Sequence, residues 1–182
     1  MPADTLIYTT HTSSLGTLLL VASNKGLRFI TLLNNPGDAE EKLRTLGEAE
    51  APTRLVEAHG FLARACDAID AYLRDGTPLN LPVDLASGTL LQRAVWLALS
   101  KIPFGETISY STLAERVGFP RAVRAVASAC GANPVPLVIP CHRVVAKDGT
   151  LGGFSLGGIE VKEHLLAIEA KARFGRGASA VA

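Results

Sequence analysis

The sequence has only three cysteines, Cys66, Cys130 and Cys141, an odd number with no C-x-x-C spacing. That argues against a disulfide framework and against a zinc knuckle, and makes a reducing compartment the default. The four histidines, His11, His59, His142 and His164, add no Cys/His cluster, so neither a metal nor another cofactor is expected. No apolar run approaches the roughly 20 residues that a membrane-spanning helix needs. The opening residues, MPADTLIYTTHTSS, lack the basic stretch followed by an apolar one that marks a secretory signal, so a cytoplasmic protein is expected. Net charge is also scarce: 18 Lys+Arg against 17 Asp+Glu leave +1. Hydrophobic residues make up 48% and charged residues 19% of 182 positions, enough for an ordinary core, which excludes a mainly disordered chain.

The near-neutral total hides an asymmetry. Residues 1–86 hold 7 Lys+Arg against 11 Asp+Glu, whereas residues 87–182 hold 11 against 6. A basic second half is what a polyanion partner would need; an uneven scatter of surface charge would look the same.

Residues 17–33 read TLLLVASNKGLRFITLL, two apolar runs around Asn24-Lys25-Gly26, which predicts a β-hairpin. Residues 37–50 have helical composition. Residues 56–73 predict a helix with Phe61, Ala65, Ala68, Ile69 and Tyr72 on one face, ended by Asp75-Gly76. Pro78 and Pro82 bracket a short extended piece. This half reads as α+β, with nothing catalytic in it. From about Ser87 helices take over. One spans residues 89–100. A second spans residues 111–117, with Ser109 or Ser111 as its cap and Gly118 as its stop. A third is opened by Pro120 and runs to Cys130. The last covers residues 160–171, turning Val161, Leu165, Ile168 and Ala172 inward, before a frayed tail. The second and third helices form either a helix-turn-helix exposing Arg121 and Arg124 or a plain helical hairpin. The expected organisation is an α+β unit over residues 1–86, a mostly helical unit over 87–174 and a flexible tail over 175–182.

Chemistry concentrates at Cys141-His142. Cys66 and Cys130 sit on apolar helix faces and read as inert core residues. Cys141 instead follows a proline in the stiff stretch NPVPLVIPCHRVV, residues 133–145, ahead of the glycine loop DGTLGGFSLGG, residues 148–158. Basic neighbours lower a thiol pKa and supply thiolate. In extended chain His142 would point away from the sulfur and could reach it only through a local bend; a bridging water would otherwise close the gap. An imidazole base needs an orienting acceptor, and Glu169 on the last helix is the candidate. Cys141 therefore reads as a nucleophile, with a buried structural thiol as the alternative.

The hexapeptide IPCHRV at residues 139–144 resembles the active-site signature of the O6-alkylguanine-DNA alkyltransferases. The resemblance extends from about Leu90 to Glu169, through FGETISY at 104–110, RAV at 124–126, NPVP at 133–136, GGFS at 152–155 and K-x-x-L-L-x-x-E ending at Glu169. It implies a ribonuclease H-like α+β domain ahead of a helical one that carries a helix-turn-helix. It also implies direct-reversal repair of duplex DNA containing alkylated guanine, by a monomer. The damaged base would be flipped into a pocket and its alkyl group transferred irreversibly to Cys141, once per molecule. By position, Cys141, His142 and Glu169 map onto a cysteine–water–histidine–glutamate relay. Tyr110, Asn133, Val144, Ser155 and Lys162 map onto the guanine pocket. Arg124 would fill the vacated stack, with Tyr110, Ser111 and Lys147 also on the DNA.

Departures matter too. After GGFS the chain reads LGGIE, one residue longer than in some members, which bears on the alkyl groups accepted. The structural zinc of some relatives is not expected here. With no second methyl-accepting domain ahead of residues 1–86, neither is the transcription-regulating fusion. Two other readings compete: a non-enzymatic DNA-binding module, which needs no cysteine, and a cysteine hydrolase, which leaves the helix pair and its arginines unused.

Overall fold

The hairpin at residues 17–33 forms one side of a larger sheet. In a computed structural model, which describes residues 5–35, 37–49, 54–57 and 60–179, β1 (Thr5–Ser13), β2 (Gly16–Ser23) and β3 (Gly26–Leu32) form an antiparallel meander. A short β4 (Arg54–Glu57) adds parallel to β1, giving the order β3-β2-β1-β4. In β2 the residues Leu18 to Ala22 are all buried, because both faces of the sheet are covered. Leu19 and Val21 face the cluster that includes Leu43 of α1 (Asp38–Ala49). Leu18, Leu20 and Ala22 face Leu62, Ala65 and Ile69 of α2 (Phe61–Asp75). The turn into β3 needs Gly26: its φ is +149°, and a Cβ there would lie 2.3 Å from the carbonyl oxygen of Pro82.

Two expectations change here. The helix predicted from Val56 begins at Phe61: residues 54–57 pair with β1 instead, and Ala58 and His59 lie outside the described residues. The meander also gains β1, which the hairpin reading did not include.

Among the described residues, four α-helices and a second, two-stranded sheet follow. α3 (Leu90–Leu99) starts with a capping box between Thr89 and Gln92. β5 (Ile108–Ser109) leads directly into α4 (Tyr110–Arg116), where Ser109 is the cap and accepts from the Thr112 amide. α5 (Val123–Gly131) starts three residues later than Pro120, which instead occupies a turn closed by Ala122 N–H donating to the Phe119 carbonyl at 2.9 Å. α6 (Gly158–Ser179) continues two turns past Lys171, with Arg173 donating to the carbonyl of Gly105 and lying 3.4 Å from Glu106. α3 and α5 are locked by Trp96 Nε1–H donating to the carbonyl of Ala129. Val95, Trp96, Leu99, Val126 and Leu165 join the same hydrophobic cluster as Leu18, Leu62 and Ile69, so the two halves share a core. α2 ends against α6 at Gly76, left-handed at φ +71°, where a Cβ would lie 2.5 Å from Cβ of Ala172. Among the described residues, no helix is long and apolar enough to cross a membrane.

Candidate active site

The stretch from Asn133 to Val145 coils where its prolines suggested extension. Asn133 is the reason. Its Oδ1 accepts from Val135 N–H, an Asx-type turn, and its Nδ2 donates to the Ile139 carbonyl at 2.8 Å. Leu137 takes a left-handed φ of +74° to complete the bend, and residues Cys141–Arg143 close as a 3-10 turn. β6 (Val144–Val145) then pairs parallel to β5, matching Ile108 with Val144. That pairing sets Tyr110 beside the cysteine turn. Both line a cavity of about 460 Å³, with Ala127, Cys130 and Gly131 from α5 and Gly152, Gly153, Phe154 and Ser155 from the glycine loop.

Cys141 is buried, and its Sγ accepts from Asn133 Nδ2 at 3.1 Å. Burial pushes its thiol up to about 11, although the Asn133 bond and the charge of Lys162 pull the other way. The sequence led us to expect a lowered thiol pKa. The structure differs because the adjacent cation is engaged elsewhere. Arg143 grips Glu169 with Nε and Nη2, both at 2.9 Å, and donates Nη1 to the Ile102 carbonyl. At neutral pH Cys141 therefore carries a neutral thiol.

His142 and Glu169 are fully buried and meet through Nε2 and Oε1 at 2.8 Å. Glu169 also accepts from Tyr72 OH at 2.8 Å and from the Gly105 amide at 2.9 Å. Burial alone would raise its pKa, but hydrogen bonds from His142 and Arg143 hold it at about 2. Burial depresses His142, so its ring is neutral. Facing an ionised carboxylate, Nε2 must carry the ring proton, which leaves Nδ1 with its lone pair. Nδ1 is buried and has no hydrogen-bond partner among the described residues. The pair thus presents an imidazole nitrogen with a free lone pair, its ring oriented by a carboxylate, on the residue that follows Cys141 in the 3-10 turn.

The remaining residues named from sequence divide by position. Lys162 is buried and donates to the carbonyls of Val144 (2.7 Å) and Leu151, with Nζ 5.9 Å from the centroid of the Tyr110 ring. The Val144 carbonyl is therefore already engaged by Lys162, though a second lone pair remains. Ser155 is exposed on the cavity rim. Arg124 is exposed on α5, one turn before the cavity residue Ala127. Lys147 is exposed on the loop after β6, and Ser111 is half-buried with its Oγ 2.7 Å from that of Ser109. Among the described residues, no group of three or more His, Cys, Asp or Glu is gathered as for a metal. Sequence reasoning overlooked Tyr72, placed only on an apolar helix face, and the Arg143 clamp. The available signal was that a buried tyrosine needs a partner for its hydroxyl.

Comparison with known proteins adds names to this geometry. Residues 6–85 match the family described as 6-O-methylguanine DNA methyltransferase, ribonuclease-like domain, and residues 90–171 match 6-O-methylguanine DNA methyltransferase, DNA binding domain. The methylated-DNA–protein-cysteine methyltransferase of Methanosarcina acetivorans is 34% identical over 165 residues, 90% of this chain and 98% of that protein. The bifunctional transcriptional activator/DNA repair enzyme Ada of Escherichia coli is 42% identical over 159 residues; the match spans 86% of this chain but only 43% of Ada. Mycobacterium tuberculosis OGT, solved in complex with DNA, superposes with a TM-score of 0.75 at 34% identity, covering 91% of this chain and 94% of that one.

Proposed function

The chain belongs to the 6-O-methylguanine DNA methyltransferase family, and from that premise we propose that it repairs alkylated duplex DNA by direct reversal, with Cys141 as the alkyl acceptor. The observation that carries this reading is the buried Nδ1 of His142, without a hydrogen-bond partner among the described residues, one residue along the 3-10 turn from the buried Cys141 thiol. A thiol that is neutral at rest reacts only if its proton leaves as the new bond forms, and Nδ1 would be the base that takes it. Glu169 then stabilises the imidazolium through Nε2–H.

The step balances as a displacement at an sp3 carbon. The Cys141 sulfur bonds the alkyl carbon, the carbon–O6 bond breaks, and its electron pair stays with guanine. An anionic leaving group has to be neutralised as it develops. Tyr110 suits that role, because burial pushes its hydroxyl up to about 12 and keeps it a donor. The thioether product offers water no carbonyl to attack, so each molecule reacts once.

DNA would be held by α4 and α5 acting as a helix-turn-helix. Arg124 would fill the gap left by the extruded guanine, with Ser111 and Lys147 on the backbone. Asn133 holds the cysteine turn in shape. Ser155 on the cavity rim and the second lone pair of the Val144 carbonyl would face the base, and Lys162, which donates to that carbonyl and lies over the Tyr110 ring, would brace the pocket wall. The protein works as a monomer wherever the chromosome lies, in the cytoplasm and at the nucleoid of a bacterium. The test is transfer of labelled methyl from an O6-methylguanine duplex to wild-type protein and to Cys141→Ala. Label should enter the first and not the second; equal labelling, or none with a demonstrably free Cys141 thiol, would refute the proposal.

A further inference from the structure

From the described part of the first 85 residues, Tyr72 reaches the His142–Glu169 pair. Tyr72 lies on α2, in the part of the chain matching the ribonuclease-like domain, yet its hydroxyl is 2.8 Å from Glu169 Oε1 and 3.3 Å from His142 Nε2. We propose that Tyr72 is a positioning residue for alkyl transfer, whose hydroxyl sets the protonation of His142 through Glu169. The proposal rests on the reading of His142 as the base for Cys141.

Three features of the geometry support a role beyond filling space. Glu169 has no need of Tyr72 to satisfy its oxygens: the Gly105 amide, His142 and the two-pronged Arg143 already supply four donors, about as many as a carboxylate has lone-pair directions. Tyr72 bonds Oε1, the oxygen that holds His142, and is the one described hydroxyl that approaches both partners. Its placement is also rigid, since α2 is buried against the sheet through Leu62 and Ile69 and abuts α6 at Gly76.

The electrical consequence follows from the groups around the pair. Glu169 faces Tyr72 from α2, Arg143 and His142 from the 3-10 turn, and the Gly105 amide; His142 also feels the positive charge of Lys162 from α6. By donating to Oε1, Tyr72 draws charge from the oxygen that attracts the His142 proton. Glu169 therefore orients the ring without protonating it, and Nδ1 stays free for the thiol proton. Tyr72 itself stays a neutral phenol, because burial and the Glu169 charge push its pKa far up. Without the hydroxyl, Oε1 becomes more basic and His142 holds a second proton to higher pH.

The experiment compares wild type, Tyr72→Phe, and full-length protein with a tyrosine fluorinated beside its hydroxyl at position 72. The 15N signals of the His142 imidazole are titrated, and single-turnover methyl transfer from duplex DNA is measured across pH. In Tyr72→Phe the His142 midpoint and the acid limb of the rate profile should rise by about half to one pH unit, the worth of one hydrogen bond. The fluorinated side chain is a stronger donor of nearly the same shape, so it should shift both downward. This arm decides the matter if the Phe variant fails to fold. A His142 midpoint unmoved in the fluorinated protein, or moved the same way in both, would overturn the proposal whether or not methyl is transferred. Wild-type protein that transfers no methyl would instead overturn the assigned function.

Discussion

Replacing Glu169 with glutamine is the most severe test of the buried cluster, because shape is kept while charge and two acceptor positions are lost. Five donors point at the carboxylate: Tyr72, His142 and Arg143 Nη2 on one oxygen, Arg143 Nε and Gly105 N–H on the other. An amide nitrogen must replace one oxygen. On the Gly105 side it meets two N–H groups that cannot turn away. On the Tyr72 side, the hydroxyl can rotate and the imidazole can change tautomer, but Arg143 still faces a donor and loses its counter-charge. Breaking a buried pair in this way costs about 3–5 kcal/mol. For a chain of this size that is a fall in Tm of roughly 6–20 °C. Thermal unfolding at neutral pH checks it, with Glu163→Gln on the exposed face of α6 as the control that should change little. The pH dependence gives a second check. Glu169 is held at about 2 against an ordinary value of 4.5, so its contribution, on the order of 3 kcal/mol, is complete above pH 4.5 and fades as pH falls toward 2. The gap between wild type and Glu169→Gln should narrow over that range. A Tm loss below about 2 °C, or a gap that stays constant with pH, would refute the reasoning.

Other consequences are simpler. Asn133→Ala removes three hydrogen bonds that shape the cysteine turn, so stability should drop by about 2–4 kcal/mol in denaturant titration. Its thiolate absorbance should also appear at higher pH than in wild type, because the Asn133 bond is one of the interactions that pull the buried Cys141 thiol back down. Cys130 lines the same cavity, but burial pushes it up to about 12, so Cys130→Ala should leave methyl transfer within about twofold of wild type. Arg124→Ala should slow reaction with duplex DNA by at least about tenfold while sparing reaction with free O6-alkylguanine; equal losses would show that it does not fill the stack. At alkaline pH the raised Cys141 and Cys130 pKa values are a liability. Their contribution to stability is intact below the ordinary thiol value of 9.0 and is lost as pH climbs toward 11 and 12, which an alkaline melt series will show.

Much of this was legible in the residues, unevenly. The apolar runs on either side of Asn24-Lys25-Gly26 declared the β2–β3 hairpin, and Thr89 and the pair Ser109 or Ser111 marked helix starts, of which Ser109 is the cap, since these signals are local. β1 and β4 were silent because their pairing is long-range: residues 54–57 join the sheet only through β1. Prolines misled twice. Pro120 serves a turn rather than a first helical position, and the prolines around Cys141 permit a coil once Asn133 supplies the hydrogen bonds. The trio Cys141, His142 and Glu169 was found by residue type and resemblance, and the structure does bring His142 and Glu169 into contact. The thiol pKa was misjudged because a neighbouring arginine in sequence says nothing about where its guanidinium is used. Tyr72 was hidden for a related reason: its apolar helix face described its ring but not its hydroxyl.

The most direct measurement is intact mass, followed by peptide mapping, of the protein after incubation with excess O6-methylguanine duplex. We predict a single added methyl on every molecule, located on Cys141, and no further loss of lesion once all the protein has been converted. A second methyl, a methyl on another residue, or lesion that keeps disappearing after Cys141 is fully modified would contradict the account.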